Sequence, residues 1–488
     1  MTVLADQAQA ALANGTEATV EAQLANWLAA NGPDLELLQW RAILLRALDR
    51  RAEAIELLEL GARLAPADPA IAHSLAQVSL EAGVNAAALF EKALRLNPAN
   101  PEIRLGFVAA NKAEGNGLAM LDMLAAALET NPGWFEGHRQ FAQLANQLGL
   151  AGRALQTLDQ SAKRFPDQPN ASFVAIDLLA AAADYAAVLE RADALLLRCG
   201  DIPAVLLAKA AALGELGDSA AAKALFAQLG EPADPKHAVY LIRQHLRDGQ
   251  PKAALKVAEP WLATSDATQV WPYVALAWRA MGHRQADWLE SQTGLVRSVD
   301  LDCSSASLPA LAACLRSIHA GSGRFMDQSV RGGTQTDGPL FARIEPEIVA
   351  IRRQLVDAFA DHLAGLSPTD ERHPQLALPR GQTPRFAGSW SVRLNNEGFH
   401  ANHHHPQGWF SAVFYVSVPA DLTKTDGQLA LGAAPPELGL GLDPLHMVEP
   451  SPGRLVIFPS TMWHGTVPFS KGERLTIAFD MARPFAET

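Results

Sequence analysis

The chain has 488 residues, 49% hydrophobic and 19% charged, and its 40 basic and 52 acidic side chains give a net charge of −12. This is too apolar for a disordered chain and too acidic for a general nucleic-acid binder, which needs a basic footprint. At roughly 100–200 residues per domain the length predicts two to four units.

From the N-terminus, MTVLADQAQAAL shows no basic start before an apolar stretch, so no signal peptide is expected. No run of about 18 apolar residues predicts a membrane span. Turn residues then recur. Pro33, Pro66, Pro98, Pro132, Pro166, Gly200, Pro232 and Ser265 stand 32 to 34 residues apart, with alanine- and leucine-rich stretches between them. Ala54, Ala86, Ala154 and Ala220 each lie twelve residues before one of these prolines, and Leu58, Phe90, Leu158 and Ala224 follow four residues later. A small residue lets paired helices approach, and an apolar residue one turn on shares its face. Proline then ends the second helix. The pattern resembles the second half of the tetratricopeptide repeat and predicts an all-α solenoid of about seven units over residues 1–290. Each unit buries its apolar face by stacking on its neighbours. Such arrays present a surface to a protein or peptide, which is the partner expected here, although some serve as spacers or dimerisation arms. No nucleic acid or membrane is expected as a partner.

Residues 291–384 read as a connector packing on the last domain. DLDCSSASLPALAACLRSIHAG predicts a short helix behind a serine-rich turn. MDQSVRGGTQTDGPLF predicts a polar loop, a capped turn or a lid, and it lacks the Gly-Lys-Ser/Thr ending of a phosphate loop. Ile348, Ile351, Leu355, Phe359 and Leu363 fall at helical steps and predict an amphipathic helix over 346–366. Residues 367–384 are proline-rich and read as a linker. The three cysteines, Cys199, Cys303 and Cys314, lack metal spacing and cannot build a disulfide framework, so a reducing, cytoplasmic setting is expected.

From Phe386 the period becomes that of strands. FAGSWSVRL, WFSAVFYVSV, QLALG, RLVIF and RLTIAFDM are short β-branched and aromatic runs separated by turn residues, which predicts a small sandwich or barrel over residues 385–488. Four histidines, His400, His403, His404 and His405, fall in FHANHHHP, and His464 stands alone in FPSTMWHGTVPF. In an extended segment His403 and His405 share a face and His404 points the other way. With His464 they would make a three-sided face on one metal ion, leaving open positions. His400, three residues before His403, falls on the wrong face of a continuous strand. His446 reads as a loop or edge-strand residue. Arg474 and Thr476 share a face of their strand and suit a carboxylate. Trp390, Trp409 and Trp463 flank these motifs as core or wall residues.

The paired histidines, the distant histidine, and a basic residue ten positions later with Thr two beyond it resemble the 2-oxoglutarate/Fe(II) oxygenases. SWSVRLNNEGFHANHHHPQGWFSAVFYVSVP and PGRLVIFPSTMWHGTVPF are similar to a bacterial family of such enzymes that often follows tetratricopeptide repeats. The DQSVRGGTQT segment resembles it too. The resemblance covers about residues 285–488 and implies a double-stranded β-helix, or jelly roll, with flanking helices. It implies Fe(II) and 2-oxoglutarate as cofactors and hydroxylation as the reaction. Residue by residue it implies His403 as the first metal ligand, His464 as the distal one, Arg474 as the clamp on the far carboxylate of 2-oxoglutarate and Thr476 as its hydroxyl partner. Arg393 would be a further co-substrate contact, or would pair with an acidic neighbour. His405 stands where the superfamily usually has a carboxylate, so either three imidazoles hold the metal or a carboxylate elsewhere, such as Glu397, completes the set. Two further readings suit this departure: a non-catalytic scaffold with a degenerate jelly roll, and a cupin-like metalloenzyme that uses no 2-oxoglutarate.

Overall fold

The computed structural model describes residues 2–303, 307–320, 329–423 and 425–485. Antiparallel helix pairs run from Thr2–Asn14 to Gln285–Glu290, where the repeat array was expected to end. Each of the eight turn residues falls between one pair and the next. Pro66, for example, separates Arg51–Leu64 from Pro69–Glu81. There Asp68 caps the next helix, its Oδ1 accepting from Ala70 N at 2.8 Å and Ile71 N at 3.0 Å, and Pro69 takes the first helical position. Ala54, Leu58, Ala86, Phe90, Ala154 and Leu158 are buried as expected, but Ala220 and Ala224 are exposed. Ala222 and Phe226 take their place inside. The buried position keeps a 34-residue step from Ala154 through Val188 to Ala222. The interval between Gly200 and Pro232 is two residues short, and the shortening falls in the helix, which ends at Leu229 soon after Phe226, so counting back from proline overshoots. Among the described residues no helix is long and apolar enough to cross a membrane.

The chain forms two compact units. The first contains residues 2–124 and 337–354. Its helix pairs close on small residues: a Cβ on Gly106 would run into the Phe90 ring. Arg352 donates to Asp49 O at 3.1 Å and Ile344 N to Ala82 O at 3.2 Å, while Lys112 pairs with Asp337. This part of the connector therefore packs on the first repeats and not, as expected, on the last domain.

The second unit comprises the described residues of 125–336 and 355–484. It holds two antiparallel sheets. Strands β1 (Arg297–Asp300), β2 (Val330–Gln335), β3 (Phe386–His400), β4 (Gly408–Ser417), β7 (Arg454–Pro459) and β9 (Glu473–Ala482) form a six-stranded sheet in the order β1-β7-β4-β9-β3-β2. Strands β5 (Leu429–Leu431), β6 (His446–Val448) and β8 (His464–Thr466) form a second, in the order β6-β5-β8. Tyr415, Leu429, Leu431, Val456, Phe458 and Met462 make a shared core between them. This is the jelly roll of the sequence reading, flanked by helix Ser307–His319 and by residues 355–364 of the helix Pro346–Ala364.

Two connector expectations change. The polar VRGGTQ stretch is an edge strand, not a loop: it pairs with β3 through an irregularity at Gly332, where φ is +70°. A Cβ on Gly333 would collide with Arg393 O, so the glycines serve close backbone approach. Met326–Gln328, like Ser304 and Ser305 of the serine-rich turn, lie outside the described residues. The proline-rich segment is not a free linker. His373, Gln375 and Leu376 are buried. His373 Nε2 bonds Leu289 O at 3.1 Å, and Trp409 Nε1 donates to Gln375 O at 3.1 Å.

Candidate metal centre

Strand β3 ends at His400 and the chain bends at Asn402, so the histidine motif is not a continuous strand. His403 instead forms an isolated antiparallel bridge with His464, each N donating to the other's O at 2.9 Å. Directly opposed residues project to one face, and the two rings lie 4.2 Å apart. Gly465 permits this approach: a Cβ there would strike Asn402 Oδ1 and sit 3.0 Å from His400 O. Asn402 is itself tied by Nδ2 to Ala434 O at 3.0 Å. Two residues on, His405 N donates to Ser460 O at 2.8 Å. The rings of His403, His405 and His464 thus converge, with candidate ligand atoms all within 4.8 Å of one another.

The hydrogen bonds fix which nitrogen faces inward. Nδ1 of His403 bonds Ala401 O at 2.8 Å, Nδ1 of His464 bonds Met462 O at 3.0 Å, and Nδ1 of His405 bonds Asp480 Oδ1 at 2.7 Å. Carbonyls and a carboxylate only accept, so each Nδ1 carries a proton and each Nε2 is the nitrogen turned to the interior of the cluster. Burial, and then the neighbouring imidazoles, hold His403 and His464 well below the ordinary histidine range. Neutral imidazoles are the form that ligates a metal.

These rings line a cavity between the two sheets. Strand β9 supplies its other end. Arg474, Thr476 and Ala478 alternate onto the cavity. Arg474 is 2% exposed, its Nη2 donates to Tyr415 Oη at 3.3 Å, and its Cζ lies 4.9 Å from the Tyr415 ring centroid. Its Nε has no hydrogen-bond partner among the described residues. Val392, Leu429, Phe458 and Phe479 make apolar walls.

The remaining sequence candidates fall elsewhere or play other parts. Arg393 does not line the cavity: it pairs with Glu473 at 2.6 Å, on the face of β3 opposite Val392. Glu397 is exposed, with φ +63°, and does not join the cluster. His404 turns away and packs edge-on against Trp463 at 4.7 Å and Tyr273 at 5.7 Å. Burial pushes its pKa down to about 3. His446 sits on the edge strand β6, outside the cavity. His400 does line the cavity, contrary to the wrong-face expectation, because the bend after β3 breaks the alternation. Ser329 Oγ lies 3.1 Å from His400 Nδ1 and 3.3 Å from His403 Nε2. Trp390 lines the cavity, whereas Trp409 and Trp463 are buried packing residues. Asp480 is the residue that the sequence reading missed. Its position was legible in the alternation of β9, two residues beyond Ala478 on the face of Arg474.

Comparison with known proteins agrees with the C-terminal assignment. Residues 388–480 match the family described as "Putative 2OG-Fe(II) oxygenase". Among solved structures, a Pseudomonas putida prolyl-4-hydroxylase is similar at 22% identity, covering 39% of this chain and 94% of that one, with a TM-score of 0.28. Yeast Tom70 is similar at 16% identity, covering 56% and 60%, with a TM-score of 0.36. A tetratricopeptide repeat protein from Parabacteroides merdae is similar at 14% identity, covering 48% and 93%, with a TM-score of 0.31. No curated protein matches the chain by sequence.

Proposed function

From a tetratricopeptide-like array followed by a domain of the 2-oxoglutarate–Fe(II) oxygenase family, we propose that the protein is a 2-oxoglutarate- and Fe(II)-dependent hydroxylase. The observation that carries this reading is one cavity holding three converging imidazole nitrogens and a buried guanidinium whose Nε has no partner among the described residues. A buried charge without a counter-ion is costly, and a planar guanidinium is matched by a carboxylate. His403, His405 and His464 would hold the iron, and Arg474 with Thr476 would hold the far carboxylate of 2-oxoglutarate. Iron and 2-oxoglutarate, when bound, supply the oxidising chemistry. The chain's part is placement. Tyr415 fixes the guanidinium, Asp480 and two carbonyls fix the ring tautomers, and the apolar walls exclude water. Arg393 is assigned to its ion pair with Glu473 and not to the co-substrate.

A non-catalytic scaffold gives no account of the three converging imidazole nitrogens, and a metalloenzyme without a co-substrate gives none of the unpartnered arginine nitrogen. The repeats are assigned to recruiting a protein or peptide, on the strength of their stacked helix pairs. A cytoplasmic setting belongs to the same proposal and rests on cysteine usage. Anaerobic titration with Fe(II) and 2-oxoglutarate tests the reading. The expected result is the weak visible charge-transfer band of the chelate, lost in His464→Ala. No band in the wild-type protein and no succinate on adding oxygen would overturn it.

A further inference from the structure

We infer that Asp480 is a positioning residue for the metal: it holds His405 as an Nε2 donor and lends that ring negative charge. The inference rests on the three-histidine metal reading above. Two of the three rings lean on uncharged carbonyls, Ala401 O and Met462 O. Only His405 leans on a carboxylate, at 2.7 Å, a short charge-assisted bond. Asp480 is 7% exposed. Ser411 Oγ donates to the same Oδ1 at 2.6 Å and lies 3.0 Å from Ser460 Oγ, which fixes the carboxylate in place. Among the described residues no lysine or arginine pairs with Asp480. A buried carboxylate met by one imidazole and one hydroxyl, with no cation beside it, is poorly compensated. A divalent ion on the far side of that imidazole would compensate it. Three neutral imidazoles bring no charge to the ion, and among the described residues Asp480 is the carboxylate placed to act on it, one ring removed. The face of β9 that presents Arg474 to the cavity therefore also carries the carboxylate that orients a ligand.

The test uses the full-length, metal-free chain with Co(II) as an optical probe. Asp480→Asn keeps the shape and removes the charge. The expected result is a loss of Co(II) affinity of about 10- to 100-fold, the usual effect of removing such a partner. The visible Co(II) bands should shift and the metal-induced rise in melting temperature should shrink, while melting of the metal-free protein changes little. A second measurement needs no variant: in zinc-loaded wild-type protein, the Nδ1 proton of His405 should resonate downfield of those of His403 and His464. Wild-type affinity and spectrum in Asp480→Asn, or three equivalent Nδ1 protons, would overturn the role of Asp480 and leave the three-histidine site standing. A wild-type chain that takes up no Co(II) would instead remove the metal reading, and this inference with it.

Discussion

Arg474 carries its charge at 2% exposure, and among the described residues no carboxylate pairs with it; its one side-chain bond goes to Tyr415 Oη. If it clamps 2-oxoglutarate, its removal strips a charge-assisted contact from a partly desolvated anion. Truncating one partner of such a pair costs about 2–5 kcal/mol, or roughly 30- to several-thousand-fold in affinity. Arg474→Ala should therefore keep iron and lose 2-oxoglutarate, measured by calorimetric titration of the iron-loaded protein. Arg474→Lys should fall between, since it keeps the charge but not the planar fork. Normal 2-oxoglutarate binding by Arg474→Ala would move the weight to a cofactor-free metalloenzyme. His404 separates packing from ligation. Its ring lies against Trp463 and Tyr273, and its Nδ1 has no hydrogen-bond partner among the described residues. His404→Ala should leave metal affinity near wild-type while lowering stability by about 1–3 kcal/mol through lost aromatic packing. Equal loss of metal in His404→Ala and His403→Ala would contradict the observed orientation.

At the scale of elements, what the sequence showed and what it hid divide along a physical line. Helix ends were legible because Pro66 or Gly200 acts locally on the backbone. The faces of β9 were legible because alternation in a strand is fixed. Counting residues from a proline failed at Ala220, where a shorter helix, Ser219–Leu229, absorbs the two-residue difference. The position of His400 was misread because alternation stops where a strand stops. Pairing of VRGGTQ with β3 depends on backbone approach at Gly333, which no local pattern encodes. The helix Pro346–Ala364 was predicted from its apolar spacing, but its polar exception was not. His362 is 1% exposed, lies 4.8 Å from the Phe410 ring, and among the described residues neither ring nitrogen has a hydrogen-bond partner. Burial, then Arg297 and Arg380, push its pKa down to about 4. Above about pH 6.5 the ring is neutral whether folded or unfolded, and it adds no pH dependence. Below that the unfolded chain takes up a proton that the fold refuses, so stability falls as pH falls toward about 4. His362→Phe removes this term. Urea unfolding should show the variant gaining on the wild type by about 2 kcal/mol between about pH 7 and about pH 5, at ~1.4 kcal/mol per pKa unit. An unchanged difference between the two pH values would mean that His362 is protonated in the fold.

At the scale of the molecule, the boundary near residue 290 separates two patterns in the sequence but not two cores. Tyr273, Val274 and Trp278 of the helix Ala267–Ala280 share one buried cluster with Leu438 and Trp463. Trp463 Nε1 donates to Pro272 O at 3.0 Å, and Arg279 donates to Gly432 O and Asp443 O. Trp288 Nε1 adds a bond to Asp370 at 2.8 Å. Trp463 is the residue before the distal histidine of the candidate site, so this packing also supports the metal loop. A tryptophan buries roughly 150–250 Å², about 4–6 kcal/mol at ~25 cal/mol per Å², and a fragment starting at 291 would return most of that to water. A fragment of residues 1–290 keeps its helix pairs and should be strongly helical by circular dichroism. Its last pair would expose Tyr273, Val274 and Trp278 as a contiguous apolar patch, which favours self-association. The fragment 291–488 should aggregate and bind no Co(II), because the loop bearing His464 has lost its support. Light scattering and Co(II) absorption on both fragments check this. A monomeric 291–488 that binds Co(II) with the affinity of the full chain would show that the last repeats are dispensable to the site and would restore an independent jelly roll.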